Sequence, residues 1–305
     1  MRHDAWRLQP ESYPLRGEFQ PRYIDVDIWQ HLNNAALSSM HGEALQQALR
    51  SVFGPEAWRT AVPVHACAAN ATDFLAEGHY PSPIAWGAKV VGMEAAGLRI
   101  ASALFQHGRC IGLHEATVCG WADGQAVGMG AEAGAALRAA GVTGAESVSP
   151  DAAPLARPTG APSLEIFPWR TTLPARFSDS DARRLASDQW LSRCTEQVRV
   201  EFLDQVFSAK PRGVGGMMVA HVGLTWLRRA APGREAEAGC GVAHMGARSV
   251  AIRSAIIDAG QCVATCESVM VTIDTQTRRS APLSDALRSL LMPYRLHGGA
   301  TAEPG

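Results

Sequence analysis

The chain repeats itself, and this repetition limits its architecture more than any other property. Arg22-Tyr23-Ile24-Asp25-Val26-Asp27 recurs as Arg176-Phe177-Ser178-Asp179-Ser180-Asp181, so Asp181 stands 154 residues after Asp27. Gly108-Arg109-Cys110 and Glu115 return as Gly260-Gln261-Cys262 and Glu267 at an offset of 152, and Ala136-Leu137-Arg138 returns as Ala286-Leu287-Arg288 at 150. An offset drifting by four residues (154 to 150) over three landmarks describes two diverged copies of one unit. The copies fall at residues 15–140 and 166–295. Residues 141–165 between them are rich in Gly, Ala, Pro and Ser and read as a flexible linker. A chain of 305 residues has room for two such domains.

Each copy has the same order of local signals. A short strand enters the Asp-x-Asp turn, and a helix follows at 35–52 in the first copy and 187–207 in the second. Leu45, Ala48 and Leu49 mark the apolar stripe of one helix, and Val198, Phe202 and Val206 that of the other. Strand-like runs follow at 84–91, 98–105 and 110–121, answered by 219–227, 249–257 and 262–273. His107-Gly108 and Asp258-Ala259-Gly260 read as hairpin turns. A strand, one long helix and an antiparallel meander predict an α+β unit with the helix lying on the sheet.

Composition excludes several classes. Lys+Arg number 28 against 29 Asp+Glu, a net charge of −1, so the chain lacks the cationic surplus of a nucleic-acid coat. Apolar residues make up 47%, enough for a packed core. The seven cysteines include no CxxC pair, and Cys262 and Cys266 have no nearby His, so they read as free buried thiols in a reducing compartment. His65, His79, His107, His114, His221 and His244 show no metal-ligand spacing, and no metal or redox cofactor is expected. The first residues lack an apolar signal-peptide core and no run is long enough to span a membrane, which predicts a cytoplasmic protein with no membrane span. Gly128-Met129-Gly130 lacks the full dinucleotide fingerprint and reads as a loop. Arg228-Arg229 and Arg234 read as a solvated turn rather than a phosphate contact.

The chemistry-bearing residues cluster at the first Asp-x-Asp turn. Asp27 is a carboxylate that could deprotonate water or attack directly. Asn34, seven residues later, falls at the expected helix start, where an unpaired N–H and the positive end of the macrodipole suit an oxyanion. His31 could orient the carboxylate or the water, and Asn33 could contact a substrate carbonyl. The plain alternative is an Asx turn followed by an ordinary N-cap.

The run Arg22 to Asn34 resembles the Asp-x-Asp-x-x-x-His-x-Asn-Asn signature of hotdog-fold thioesterases, both the 4-hydroxybenzoyl-CoA thioesterase-like proteins and the acyl-ACP thioesterases. The resemblance implies a double hotdog, two tandem units each with a long helix wrapped by a curved antiparallel sheet. It implies hydrolysis of an acyl thioester on CoA or acyl carrier protein, with the oxyanion held by the backbone amide at the position of Asn34. Trp29 departs from the Asn that plant acyl-ACP enzymes carry two residues after the Asp. The second copy departs further, with Leu185, Ser187 and Asp188 in place of His31, Asn33 and Asn34. It has, however, Glu196, fifteen residues after Asp181, where family members often carry a helix carboxylate; the first copy has Gly42 there, with Glu43 one step off.

One composite site is therefore expected, with the loop of copy one facing Glu196 of copy two and a degenerate mirror site around Asp181. A solvated Glu196 paired with Arg193 or Arg199 is the plain alternative. Trp226 is expected against the acyl group or in the core, along with Met217-Met218. The expected partners are an acyl-CoA or acyl carrier protein substrate, no nucleic acid, and a second double hotdog in a homodimer. A hotdog hydroxyacyl dehydratase and a non-catalytic acyl-thioester binder are the alternative functions.

Overall fold

In the first half, β1 (Leu15–Phe19) leads through a 3-10 turn (Tyr23–Asp25) into α1 (Asn34–Phe53). The strands β2 (Val64–Phe74), β3 (Ile84–Glu94), β4 (Gly97–Gln106) and β5 (Arg109–Ala122) follow, then β6 (Gln125–Val127) and α2 (Gly130–Ala139). The second half repeats the plan with β7 (Trp169–Leu173), α3 (Asp188–Ser208), β8 (Gly216–Trp226), β9 (Ala236–Met245), β10 (Ser249–Asp258), β11 (Gln261–Ile273) and α4 (Asp285–Leu291). This computed structural model describes residues 4–59, 64–149, 151, 153–155, 161–208, 216–229, 235–274, 277 and 279–296.

Two of the long strands, and the short β6, are not expected from the sequence. β2 (VHACAANATDF) is poor in β-branched residues, and β9 (AEAGCGVAHM) is rich in Gly and Ala. Neither has local strand propensity, and pairing on both sides imposes their conformation. Their presence corrects the register of the repeat. The run read at 219–227 is β8, which answers β2 at the 152 offset and not the run at 84–91, whose counterpart is β9. The hairpin turns stand as expected. His107 (φ 51°) and Gly108 (φ 74°), like Ala259 (φ 47°) and Gly260 (φ 75°), are paired left-handed residues, as a two-residue turn matching the strand twist requires.

All the long strands join one antiparallel sheet in the order β1-β3-β4-β5-β2-β8-β11-β10-β9-β7. The halves meet where β2 pairs with β8, from Ala69↔Thr225 through Ala71↔Gly223 to Asp73↔His221. Gly223 stands 152 residues after Ala71 and is also its pairing partner, so a pseudo-two-fold axis passes through that pair. Each half thereby covers the strand edge the other would leave open.

The sheet curls around both helices. On α1, Ala44, Leu45, Ala48 and Leu49 are buried against Ala88, Leu98, Ile100, Ala116 and Val118. On α3, Leu191, Val198, Phe202 and Val206 pack on Ala238, Val250, Ile252 and Ala264. Burying each large side chain of these stripes contributes roughly 1.5–3 kcal/mol. The two helices touch and run antiparallel: Ser39 of α1 accepts a hydrogen bond from Gln189 near the start of α3, while the start of α1 reaches the middle of α3. All seven cysteines are free thiols, and no described helix is long and apolar enough to cross a membrane.

Candidate active site

The loop between β1 and α1 is built by its own side chains. Asp25 is buried and accepts from the Arg22 N–H at 2.8 Å and from its guanidinium at 2.8 and 3.2 Å. Burial pushes its carboxyl up, but the Arg22 contacts outweigh this and hold it below the usual range. The Asp25 carbonyl accepts the Asn33 N–H at 2.8 Å. The first Asp of the motif thus shapes the loop, and the second is left to face the interior.

Asp27 closes a tight turn. Its N–H donates to the His31 carbonyl at 3.0 Å, its Oδ1 accepts the Trp29 N–H at 2.8 Å, and its Oδ2 lies 3.2 Å from His31 Nδ1. Gln30, at φ 66°, takes the left-handed conformation this turn needs. The carboxylate is an Asx-turn acceptor and an imidazole partner at once. The tip of the turn projects outward, with Tyr23, Ile24, Ile28 and Trp29 exposed.

Asn33 caps α1, its Oδ1 accepting the N–H groups of Ala35 and Ala36 at 2.6 and 3.3 Å. Its Nδ2 is thereby turned outward and donates to Glu196 Oε1 on α3 at 2.8 Å. Between them, the first helical N–H, that of Asn34, has no acceptor among the described residues. Burial pushes the Glu196 carboxyl above its ordinary value, with nearby Asp27 adding to the rise and Asn33, Arg199 and Asn34 opposing it. Glu196 is therefore half-buried and bonded to the opposite half rather than solvated.

The structure brings Asp27, His31, Asn33, Asn34 and Glu196 together, but Trp226 lies elsewhere. Trp226 is buried, stacks on Trp190, and donates from Nε1 to Asp188 at 2.8 Å at the start of α3. Arg229 joins it there, only 1% exposed, ion-paired with Asp188, donating to the Cys67 and Ala186 carbonyls and lying over the Trp226 ring. The reading of Arg229 as a solvated turn residue is thus corrected: the fusion of the halves encloses it. Arg234 lies outside the described residues.

These residues fill the mirror locus. Its loop has the same backbone, with Arg184 at φ 61° answering Gln30. Yet Asp181 is clamped by Arg183, the residue in the place of Trp29, through Nε at 3.1 Å and Nη2 at 2.9 Å, and it also accepts the N–H groups of Arg183 and Leu185. Asp188 puts a negative charge where Asn34 puts an amide, and beyond Gly42 there is open space in place of a carboxylate.

The sequence offers Arg199 only as an ion-pair partner of Glu196 and gives no sign of Ser268. Arg199 is 4% exposed and donates to Asn34 Oδ1 at 3.1 Å and to Ser268 Oγ at 3.2 Å. Its position three residues after Glu196, on the same helix face, was the available signal. A separate groove of about 860 Å³, lined by Glu115, His221, Arg253 and Glu267, shares none of the site residues. Glu115 alternates along β5 with core-facing Ala116, so the groove lies on the sheet face away from the helices.

Residues 176–291 match the family model of the thioesterase-like superfamily. No curated protein matches the sequence. Among solved structures, a protein described as an oleoyl thioesterase from Lactobacillus plantarum matches with a TM-score of 0.63 at 12% identity, over 85% of this chain and 96% of that one. The 12:0-ACP thioesterase from Umbellularia californica matches at 0.56 and 10% identity, over 85% and 94%. An acyl-ACP thioesterase from Bacteroides thetaiotaomicron matches at 0.55 and 11% identity, over 84% and 96%. At such identities the likeness is one of fold, and that fold is the α+β double hotdog.

Proposed function

We propose, for a double-hotdog chain whose second half matches the thioesterase-like superfamily, that it hydrolyses an acyl thioester carried on CoA or acyl carrier protein. Its two hotdog units are read at 15–140 and 166–295, joined by 141–165. The observation that carries this reading is the 2.8 Å bond from Asn33 to Glu196, which brings a carboxylate of the second half to the Asp27 loop and to a helix N–H with no acceptor among the described residues.

In this reading Asp27 takes the proton of a water that attacks the thioester carbon. His31, 3.2 Å from Oδ2, orients the carboxylate. The carbonyl oxygen becomes an oxyanion held by the Asn34 N–H, with the positive end of the α1 dipole behind it. Glu196, fixed by Asn33, accepts the water's second hydrogen. The tetrahedral intermediate then expels the thiolate, which takes up the proton. The exposed Tyr23, Ile24, Ile28 and Trp29 beside the site suit an apolar acyl group. Seven free thiols suit a reducing, cytoplasmic setting.

Titration of free thiol from a panel of acyl-CoA and acyl-carrier-protein substrates tests this. Asp27→Asn should lower kcat/KM by about 10²–10⁴-fold, the span of general-base catalysis. Equal rates in the two proteins would remove Asp27 from its role. Enoyl product without thiol release would turn the reading to a dehydratase.

A further inference from the structure

Arg199 is a cation enclosed by the fold without a structural need for it. At the repeat offsets, its counterpart on α1 is Leu45, and the counterpart of its partner Ser268 is Ala116. Leu45 and Ala116 are both buried in the core of the first half. The architecture is thus satisfied by an apolar pair at these two positions. The second half, the one that supplies Glu196, has instead a buried guanidinium and a hydroxyl to receive it. Enclosing a guanidinium is unfavourable unless its neighbours make use of it.

The use lies across the seam. A guanidinium can only donate, so the Asn34 oxygen must face Arg199, and the Asn34 NH₂ is turned the other way. That side faces the Glu196 carboxylate, which accepts from Asn33 Nδ2 at 2.8 Å and on which Asn34 acts in the same sense.

We infer that Arg199 is a positioning residue of the site: held by Ser268, it locks the Asn34 amide with its NH₂ turned towards Glu196, and holds that carboxylate in the orientation and charge state that accept a hydrogen from water. This rests on the proposed hydrolytic site. The groups facing Glu196 are Asp27 and, behind it, His31 from the loop, Asn33 and Asn34 from α1, and Arg199 on its own helix. Cys240 on β9 and Cys266 on β11 face Arg199 from the sheet. Burial and Asp27 both favour protonation of Glu196, and Arg199 opposes it. Removing the guanidinium therefore moves the Glu196 titration to higher pH.

The test is the double variant Arg199→Leu/Ser268→Ala, which installs the pair the first half already packs. The acid limb of kcat/KM should move up by about one pH unit, a tenfold loss on that limb. The alkaline plateau should fall less than about fivefold, the scale of a positioning defect rather than a lost base. Arg199→Lys, which keeps the charge but not the fork, should leave the limb in place while lowering the plateau. An unmoved limb in the double variant, with a melting curve as cooperative as wild type, overturns the inference while leaving the hydrolytic reading intact. If wild type releases no thiol from any substrate, the hydrolytic reading fails instead. The inference is then decided by infrared titration of the Glu196 carboxylate, taken as the difference from Glu196→Gln. A midpoint unchanged by the double variant overturns it, and a raised midpoint supports it.

Discussion

Replacing Asn33 by serine separates the two jobs of one amide. In the folded chain Asn33 Oδ1 caps α1 through Ala35 and Ala36, while Nδ2 donates to Glu196 at 2.8 Å in the other half. Serine retains the cap, ranking beside asparagine at that position, but is too short to reach Glu196. Alanine loses both. A hydrogen bond to a charged acceptor contributes roughly 1.5–3 kcal/mol when fully buried. Glu196 is only half-buried, so about 1 kcal/mol is the reasonable share for this one. The lost cap adds about another 1 kcal/mol. Urea unfolding at neutral pH should therefore rank wild type above Asn33→Ser by about 1 kcal/mol and above Asn33→Ala by about 2. In the thiol-release assay both variants should fall together, because both leave Glu196 without the Asn33 donor. Equal stability of serine and alanine variants would refute the capping argument. A serine variant matching wild type in both stability and rate would refute the cross-half bond as a working part of the site.

Two further outcomes are expected. Burial holds His114 at about 4 and keeps His41 well below its ordinary value, the rings stacked at 4.9 Å and bonded to Thr72 and Ser102. The unfolded chain therefore binds more protons than the native one below about pH 6.5, so stability should fall as pH drops from there towards 4. His114 alone accounts for a loss on the order of 3 kcal/mol, and a His114→Gln variant should show a visibly shallower decline in pH-dependent melting. Asp181→Asn, which loosens the Arg183 clamp, should leave thiol release within about twofold of wild type, well short of the loss expected when a general base is removed. A loss matching that of Asp27→Asn would mean that both loci work.

The repeat makes the helices, the hairpins and the meeting of the first loop with Glu196 of the opposite half legible, because register survives where residue identity does not. Glu196 stood out for that reason: its counterpart is Gly42, so the two copies are complementary rather than redundant. The central strands were less legible. β2 and β9 are assembled from Ala, Gly, Cys and Asn, whose strand conformation comes from neighbours distant in sequence. The arginines were least legible of all. Nothing local to Arg199 or Arg229 encodes their burial, because the residues that enclose them come from both halves and lie tens to more than a hundred positions away.

The pairing of Ala71 with Gly223 joins within one polypeptide what two identical subunits would otherwise form about a dyad. In an assembly of identical subunits, an arginine in the place of Trp29 would appear in both loops and tie down both aspartates. Here the clamp on Asp181 leaves Asp27 untouched, because a change at one position is inherited by one half alone. Covalent fusion frees the twin loops to diverge, one keeping an aspartate beside an imidazole and the other binding its aspartate to a guanidinium.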